Sequence, residues 1–296
     1  MASLQSYFLR FLLKRTVNWN KPLNEVRDFH RSVQTKEVVP GGITIKKIDS
    51  PNFNAEWFVP QGVNFSQTLV YIHGGGYCLG VVDANRNFVL MLAKFLQQPI
   101  ILLDYPLAPE NPFPAALSHS VNLYEWLLKE AKFLPSNIGY IADSSGCGLT
   151  LATFQETKVR GLGLPKFQIF MSPVVDLTRS GKSFVEKTKK DPFSLKKGFF
   201  IDDNYIQGND PANPKFSPIF GNLLLMPSTL IQASEYDVFL SDSEMLAAKL
   251  KDAGVDVSYS LWKKLWHNFQ MSYTLLPEGK RALNEIRCFV SSYFTT

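Results

Sequence analysis

Ile138-Gly139-Tyr140-Ile141-Ala142-Asp143-Ser144-Ser145-Gly146-Cys147-Gly148 reads as a short apolar strand, a tight turn and the start of a helix. A serine at the tip of such a turn, with small residues two places away on either side, is held where its hydroxyl can react. Those neighbours must be small, because the backbone bends so sharply that a side chain there would strike the adjoining strand and helix. Two serines compete for the tip. Ser144 is flanked two places away by Ala142 and Gly146, whereas Ser145 would be flanked by the bulkier Asp143 and Cys147. Ser144 is therefore assigned as nucleophile. Ordinary strand–helix junctions carry similar runs, so other parts of the chain must agree before the turn means catalysis.

Working outward, three further signals agree. Upstream, His73-Gly74-Gly75-Gly76-Tyr77 follows an apolar segment. A glycine run lets backbone N–H groups face inward unobstructed, and such donors can hold the oxyanion of a tetrahedral intermediate. A phosphate cradle is the competing reading. It lacks the Gly-Lys-Ser/Thr ending of a P-loop and the spaced glycines of a dinucleotide site. Downstream, Asp237 lies in Ser234-Glu235-Tyr236-Asp237-Val238, and His267 lies in Leu265-Trp266-His267-Asn268-Phe269. The order is Ser, Asp, His, each just past the end of a strand, where α/β sheets place their sites.

Around these motifs the chain alternates strand and helix. Strands are expected over 43–48, 55–59, 68–73, 99–104, 138–142, 167–171, 229–233 and 257–262. Leu117, Val121, Tyr124 and Leu128 mark a helix between two of them. Another begins at Ser241, with Glu244 placed for a capping box, and stops at Gly254. The last helix spans about 278–294. Strongly apolar strands alternating with helices imply a mostly parallel sheet covered on both faces. Residues 3 to about 33 read as two helices broken at Asn20-Lys21-Pro22. Leu4, Phe8, Phe11 and Leu12 share a helical face, expected either to dock on the body or to touch a membrane surface. From 177 to about 210 no good strand is found. Lys182, Lys187, Lys189, Lys190, Lys196 and Lys197 are there interleaved with Phe184, Phe193, Phe199, Phe200 and Tyr205. This is either an inserted helical segment with a solvated basic face or a lid with aromatics facing a pocket.

Composition narrows the class. The 296 residues suit one α/β domain, and 45% hydrophobic content suffices for a real core. A net charge of +5 gives no case for nucleic acid unless it is concentrated on one face. Three cysteines suggest neither a disulfide framework nor a zinc site, which points to a reducing, cytoplasmic setting. No apolar run reaches the ~18 residues of a membrane span.

Tyr71-Ile72-His73-Gly74-Gly75-Gly76-Tyr77, Asp104-Tyr105-Pro106-Leu107-Ala108-Pro109-Glu110 with Phe113-Pro114-Ala115-Ala116, Asp143-Ser144-Ser145-Gly146, and the Asp237 and His267 segments together resemble the hormone-sensitive lipase family, bacterial-type carboxylesterases of the α/β-hydrolase fold. The match runs from residue 71 to 269. The resemblance implies a single domain, with about eight mostly parallel strands, helices on both faces, and a helical cap built from about 1–40 and about 177–210. It implies Ser144 as nucleophile, His267 as base, Asp237 as orienting acid, and the amides of Gly75, Gly76 and Ser145 as oxyanion donors. The implied function is hydrolysis of small to medium acyl esters, with no metal or cofactor and a small-molecule ester as partner; homodimerisation is left open. Two alternatives are a catalytically silent small-molecule receptor, as in the similar plant gibberellin receptors that lack the histidine, and a deacetylase of a sugar or drug. A third reading is a membrane- or protein-docking module using the basic cap and the first helix. The sequence departs from the family pattern at Ala142, usually Gly, and at Asn268, also usually Gly. Asn tolerates positive φ better than most residues, so the second loop is expected to survive.

Overall fold

The computed structural model describes residues 2–16, 19, 21–32, 41–63, 65–80, 83–193 and 201–294. Among them are eight strands: β1 (Ile43–Ile48), β2 (Asn54–Pro60), β3 (Thr68–Ile72), β4 (Ile100–Asp104), β5 (Ile138–Asp143), β6 (Phe167–Met171), β7 (Ser228–Ser234) and β8 (Val257–Trp262). The helices are α1 (Leu4–Thr16), α2 (Leu23–Ser32), α3 (Asp83–Leu96), α4 (Ala115–Lys129), α5 (Ser145–Val159), α6 (Ser183–Glu186), α7 (Leu240–Asp252) and α8 (Pro277–Tyr293). The strands form one sheet in the order β1-β2-β4-β3-β5-β6-β7-β8. β1 and β2 join antiparallel at one edge, and every pair from β4 to β8 is parallel.

Both faces are covered, as continuous apolar strands require. Val70, Ile72, Tyr140 and Ala142 belong to a core shared with α4, α5 and α7. Their neighbours Leu69, Tyr71 and Ile141 belong to a second core shared with α3 and α8. This is the period-two alternation of strand side chains. A third, smaller cluster of Leu265, Trp266, Phe269, Leu276 and Ala282 lies past β8, with Leu9, Leu13 and Phe193 packed on it. Because β3, β5, β7 and β8 run the same way, the residues that follow them, His73, Ser144, Asp237 and His267, emerge at one end of the sheet.

Two expectations need correction. The Leu4, Phe8, Phe11, Leu12 face of α1 does not dock; all four side chains are exposed. The helix is held by its opposite side, through buried Ser6 and through Leu9 and Leu13 on the third cluster. The buried residue on that side is a small serine in the first turn, which a reading by hydrophobicity alone passes over.

The capping box at Ser241 is absent. α7 begins at Leu240 and has no side-chain cap. Ser241 Oγ instead accepts the Ser183 amide at 3.1 Å, and the Ser241 amide donates to Ser183 Oγ at 2.9 Å, so the hydroxyl joins two segments.

The 177–210 stretch contains no strand among its described residues, and its helix is a single turn, α6, followed by a short π-helical turn at Asp202–Ile206. Its side chains divide by chemistry. Phe184 packs on Phe239 and buried Tyr205 stacks on Tyr77, while Lys182, Lys189 and Lys190 face solvent. Lys196, Lys197, Phe199 and Phe200, like Asn20 in the expected break, lie outside the described residues.

Candidate active site

Ser144 stands between β5 and α5 with φ 52° and ψ −125°. A non-glycine residue there costs of order 1–3 kcal/mol and persists only if its surroundings enforce it. They do. The Ser144 amide donates to the Met171 carbonyl at 3.0 Å, and its own carbonyl accepts the Val174 amide at 3.0 Å and the Cys147 amide at 3.1 Å. Gly146 lets α5 approach β3: a Cβ there would collide with the Ile72 and His73 carbonyls. Ala142, one of the two departures, is a fully buried β5 residue paired with Ile72 and Phe170, and its methyl is accommodated in the core.

The other two sequence-assigned side chains meet this serine. His267 Nε2 is 2.9 Å from Ser144 Oγ. His267 Nδ1 is 3.1 and 3.0 Å from the two carboxylate oxygens of Asp237, which is fully buried. A carboxylate only accepts, so Nδ1 carries the proton and Nε2 is left to accept the Ser144 hydroxyl. Asp237 Oδ1 also accepts the Phe239 amide at 2.8 Å, which fixes the carboxylate plane.

Burial pulls the His267 pKa down. The charge and hydrogen bond of Asp237, with the charges of Asp191 and Asp143, outweigh that and leave it above the ordinary imidazole value. His73, which starts the glycine run, differs. Burial lowers it to about 4, its Nδ1–H donates to the Gly74 carbonyl at 2.7 Å, and its ring stacks on Tyr105 at 4.1 Å. It is a neutral support for the glycine loop.

That loop passes directly over the serine: a Cβ on Gly74 would lie 2.8 Å from Ser144 Cβ. Gly75 and Gly76 have φ of 115° and 61°, and a Cβ on Gly75 would sit 2.5 Å from the Leu79 carbonyl oxygen, so the turn at Gly75 requires glycine. The Gly76 amide donates to Ser145 Oγ at 2.8 Å. Ser145 in turn contacts the Tyr105 hydroxyl, which donates to the His73 carbonyl at 2.9 Å.

Three polar residues join these parts, of which sequence reasoning singled out only Asn268, and only as a departure from the family pattern. Asp143 Oδ1 accepts the Tyr71 hydroxyl at 2.7 Å and the Gly74 amide at 3.0 Å, and its Oδ2 accepts the Asn268 side-chain amide at 2.7 Å. One buried carboxylate thus ties the serine turn to the glycine loop and the histidine loop. Asn268 has φ 55° and ψ 34°, so the loop keeps its left-handed turn without glycine and gains that bond to Asp143. Asp191 is buried and accepts the amides of Phe193 at 2.9 Å and Val238 at 3.0 Å. Burial and the charge of Asp237 push it up to about 7. Asp143 and Asn268 adjoin assigned residues in the chain; nothing in the sequence marks Asp191.

Above Ser144 lies a cavity of about 570 Å³. Leu13, Trp19, Phe29, Phe193, Phe239 and Trp266 form most of its apolar wall. A second opening of about 620 Å³, with Arg27, Arg31, Asp104 and Glu110 in its wall, shares only His30 and Leu79 with the first and contains no Ser, Thr or Cys. Of the two, only the first places a serine hydroxyl under an apolar wall. Among the described residues no group of three or more His, Cys, Asp or Glu is arranged to hold a metal, and no helix is long and apolar enough to cross a membrane.

Comparison with known proteins accords with this arrangement. A profile of the alpha/beta hydrolase fold matches residues 69–271. An esterase of Acinetobacter venetianus is 33% identical, the match covering 97% of this chain and 96% of the relative. An acetyl-hydrolase of Streptomyces hygroscopicus is 29% identical, covering 98% and 97%. Among solved structures, EstE5 soaked with p-nitrophenyl butyrate superimposes with TM-score 0.92 at 31% identity over 100% of both chains. An esterase of the bacterial hormone-sensitive lipase family gives 0.91 at 29% over 99% of both. The chain belongs to the α/β-hydrolase family and, within it, to the bacterial hormone-sensitive lipase type, and it is a carboxylic ester hydrolase.

Proposed function

We propose that the chain hydrolyses small to medium acyl esters through Ser144, His267 and Asp237 and a covalent acyl-enzyme. The observation that carries this reading is the unbroken hydrogen-bond chain from Ser144 Oγ through the imidazole to a fully buried carboxylate, opening into an apolar cavity. Neutral His267 takes the hydroxyl proton as Oγ attacks the ester carbonyl, and Asp237 stabilises the imidazolium. The amides of Gly75 and Ser145 receive the oxyanion, and that of Gly76 joins them on turning from Ser145 Oγ, to which it donates at 2.8 Å in the free site; a single such donor contributes roughly 3–4 kcal/mol to the transition state. The imidazolium then protonates the leaving alcohol, and water activated by the same ring releases the acid. Helices α1 and α2 with the 177–210 segment act as a cap on one catalytic domain: Leu13, Phe29 and Phe193 all reach the cavity wall. A binding role without chemistry is disfavoured by the intact imidazole contact. Nothing in the mechanism calls for a metal, a nucleic acid or a second subunit. Three free cysteines, two of them buried, favour a reducing compartment such as the cytoplasm.

The test is covalent trapping. Diethyl p-nitrophenyl phosphate is expected to stop hydrolysis of p-nitrophenyl butyrate and leave one phosphoryl adduct, mapped by peptide mass to Ser144. An adduct on Ser145, or inhibition without any adduct, overturns the assignment. An acyl series from acetate upward then ranks deacetylation against longer chains.

The Gly76 amide raises a separate expectation. Its bond to Ser145 Oγ is a modest one, so Ser145→Ala changes kcat by no more than about tenfold and leaves trapping at Ser144 intact. The pH profile follows from His267. The base must be neutral, so kcat/KM falls as pH drops through its pKa, with a midpoint above the 6.5 of an unperturbed imidazole. A rate–pH profile without an acid limb contradicts the role of the ring as base.

A further inference from the structure

Helix α1 turns an apolar strip outward. Leu4 is 86% exposed, Phe8 66%, Phe11 50% and Leu12 39%, with Tyr7 at 40% on the edge. Scattered apolar residues on a surface are ordinary, but five on consecutive turns of one helix form a continuous patch, and such patches mark interaction sites. No element among the described residues covers it.

The rim of the strip is basic. α1 carries Arg10, Lys14 and Arg15 and no acidic residue. Arg15 lies over the Phe11 ring at 4.0 Å, and Lys264 Nζ donates to the Tyr7 hydroxyl at 3.0 Å. Lys14 donates to the Lys189 carbonyl, which brings the Lys189–Lys190 pair alongside. The carboxylates that touch this side are engaged: Glu278 accepts the Ser3 amide and hydroxyl and pairs with Arg281, and Glu235 accepts the Lys264 amide. Asp191, the remaining acid near Lys14, is buried.

We propose that α1 is a docking surface for an anionic lipid membrane. The helix lies in the membrane plane, its Leu4–Phe8–Phe11–Leu12 strip at the acyl boundary and its cations against headgroup phosphates. A second copy of this chain is a poorer occupant: two α1 faces brought together set Arg10, Lys14 and Arg15 against the same residues, with no carboxylate on the helix to answer them. The same helix supplies Leu13 and Thr16, on its other side, to the wall of the cavity above Ser144, so a docked α1 lies between that cavity and the lipid. The inference concerns binding alone and stands whichever residues carry the hydrolysis.

The experiment is co-sedimentation of the full chain with phosphatidylcholine vesicles with and without phosphatidylglycerol. Binding is expected only to the anionic vesicles, and it weakens as salt is added. The double variant Phe8→Ser, Phe11→Ser lowers partitioning at least about tenfold, and Arg15→Gln lowers it roughly fivefold. Both variants hydrolyse soluble p-nitrophenyl butyrate at the unaltered rate, which shows that they fold. The proposal is overturned if the chain fails to sediment with anionic vesicles, if the double variant sediments as well as the parent, or if sedimentation velocity finds a dimer that the double variant dissolves.

Discussion

Ser144→Ala lowers kcat for a short p-nitrophenyl ester by about 10⁶-fold, the scale seen when a serine nucleophile is deleted from an intact triad. The change is clean because the strain at this position is already present. Ser144 has φ 52°, held by its bonds to Met171, Val174 and Cys147, and all three run through the backbone. Alanine keeps the Cβ and those bonds, and only the hydroxyl contact to His267 is lost. The variant therefore folds, and its melting temperature stays within a few degrees of the parent. It also still binds esters, since the cavity wall is untouched, so KM moves far less than kcat. A residual rate of roughly 10³–10⁴ over water remains from the oxyanion amides and substrate positioning. If the variant retains a tenth of the parent rate, Ser144 is not the nucleophile, and Ser145, whose hydroxyl points to the Gly76 amide, must be tested in its place.

What could be read from the sequence divides along physical lines. The inner strands were legible because burial on both faces demands unbroken apolar runs, and β6 has the bounds expected from such a run; the edge strands β1 and β8, largely unburied, were marked by β-branched and aromatic residues instead. The candidate site could be proposed from the sequence because its parts are backbone devices with narrow sequence requirements: a tight turn needs small neighbours, and a donor loop needs glycine. What stayed hidden was set by contacts between distant segments. Asp191 lies 46 positions before Asp237 in the chain, and only the fold brings it beside the Asp237 loop through the Val238 amide. Asp143 could be seen as a neighbour of Ser144 but not as the group that ties three loops together. The α1 error has the same root. Hydrophobicity identified the greasy face correctly, but the inward face is the one with a small serine and two leucines, and the packing partner past β8 decides that.

Asp237→Asn is expected to lower kcat about 10⁴-fold while leaving the geometry almost unchanged. The carboxylate makes two kinds of contact: it accepts the Phe239 amide and it accepts His267 Nδ1–H. Asparagine has one accepting oxygen. If that oxygen stays with the Phe239 amide, the amide NH₂ faces Nδ1, which must then present a lone pair. The ring proton moves to Nε2, and Nε2 donates toward Ser144 where it should accept, which is the wrong tautomer for a base. The charge argument adds a second readout. Asp237 lifts the His267 pKa against burial; without its charge the ring titrates lower, so the acid limb of kcat/KM shifts to lower pH even as the plateau falls. Asp191 does not substitute, because its two oxygens are taken by the Phe193 and Val238 amides and neither is bonded to the imidazole. Where it is ionised its charge still reaches the ring, but a carboxyl pushed up to about 7 is partly protonated across the acid limb, so Asp191→Asn in the parent background shifts the limb the same way by less, at a near-normal plateau. A loss of tenfold or less in Asp237→Asn would mean that the ring is oriented by some other group. If the limb moves in Asp191→Asn and not in Asp237→Asn, the two carboxylates have exchanged the roles assigned to them.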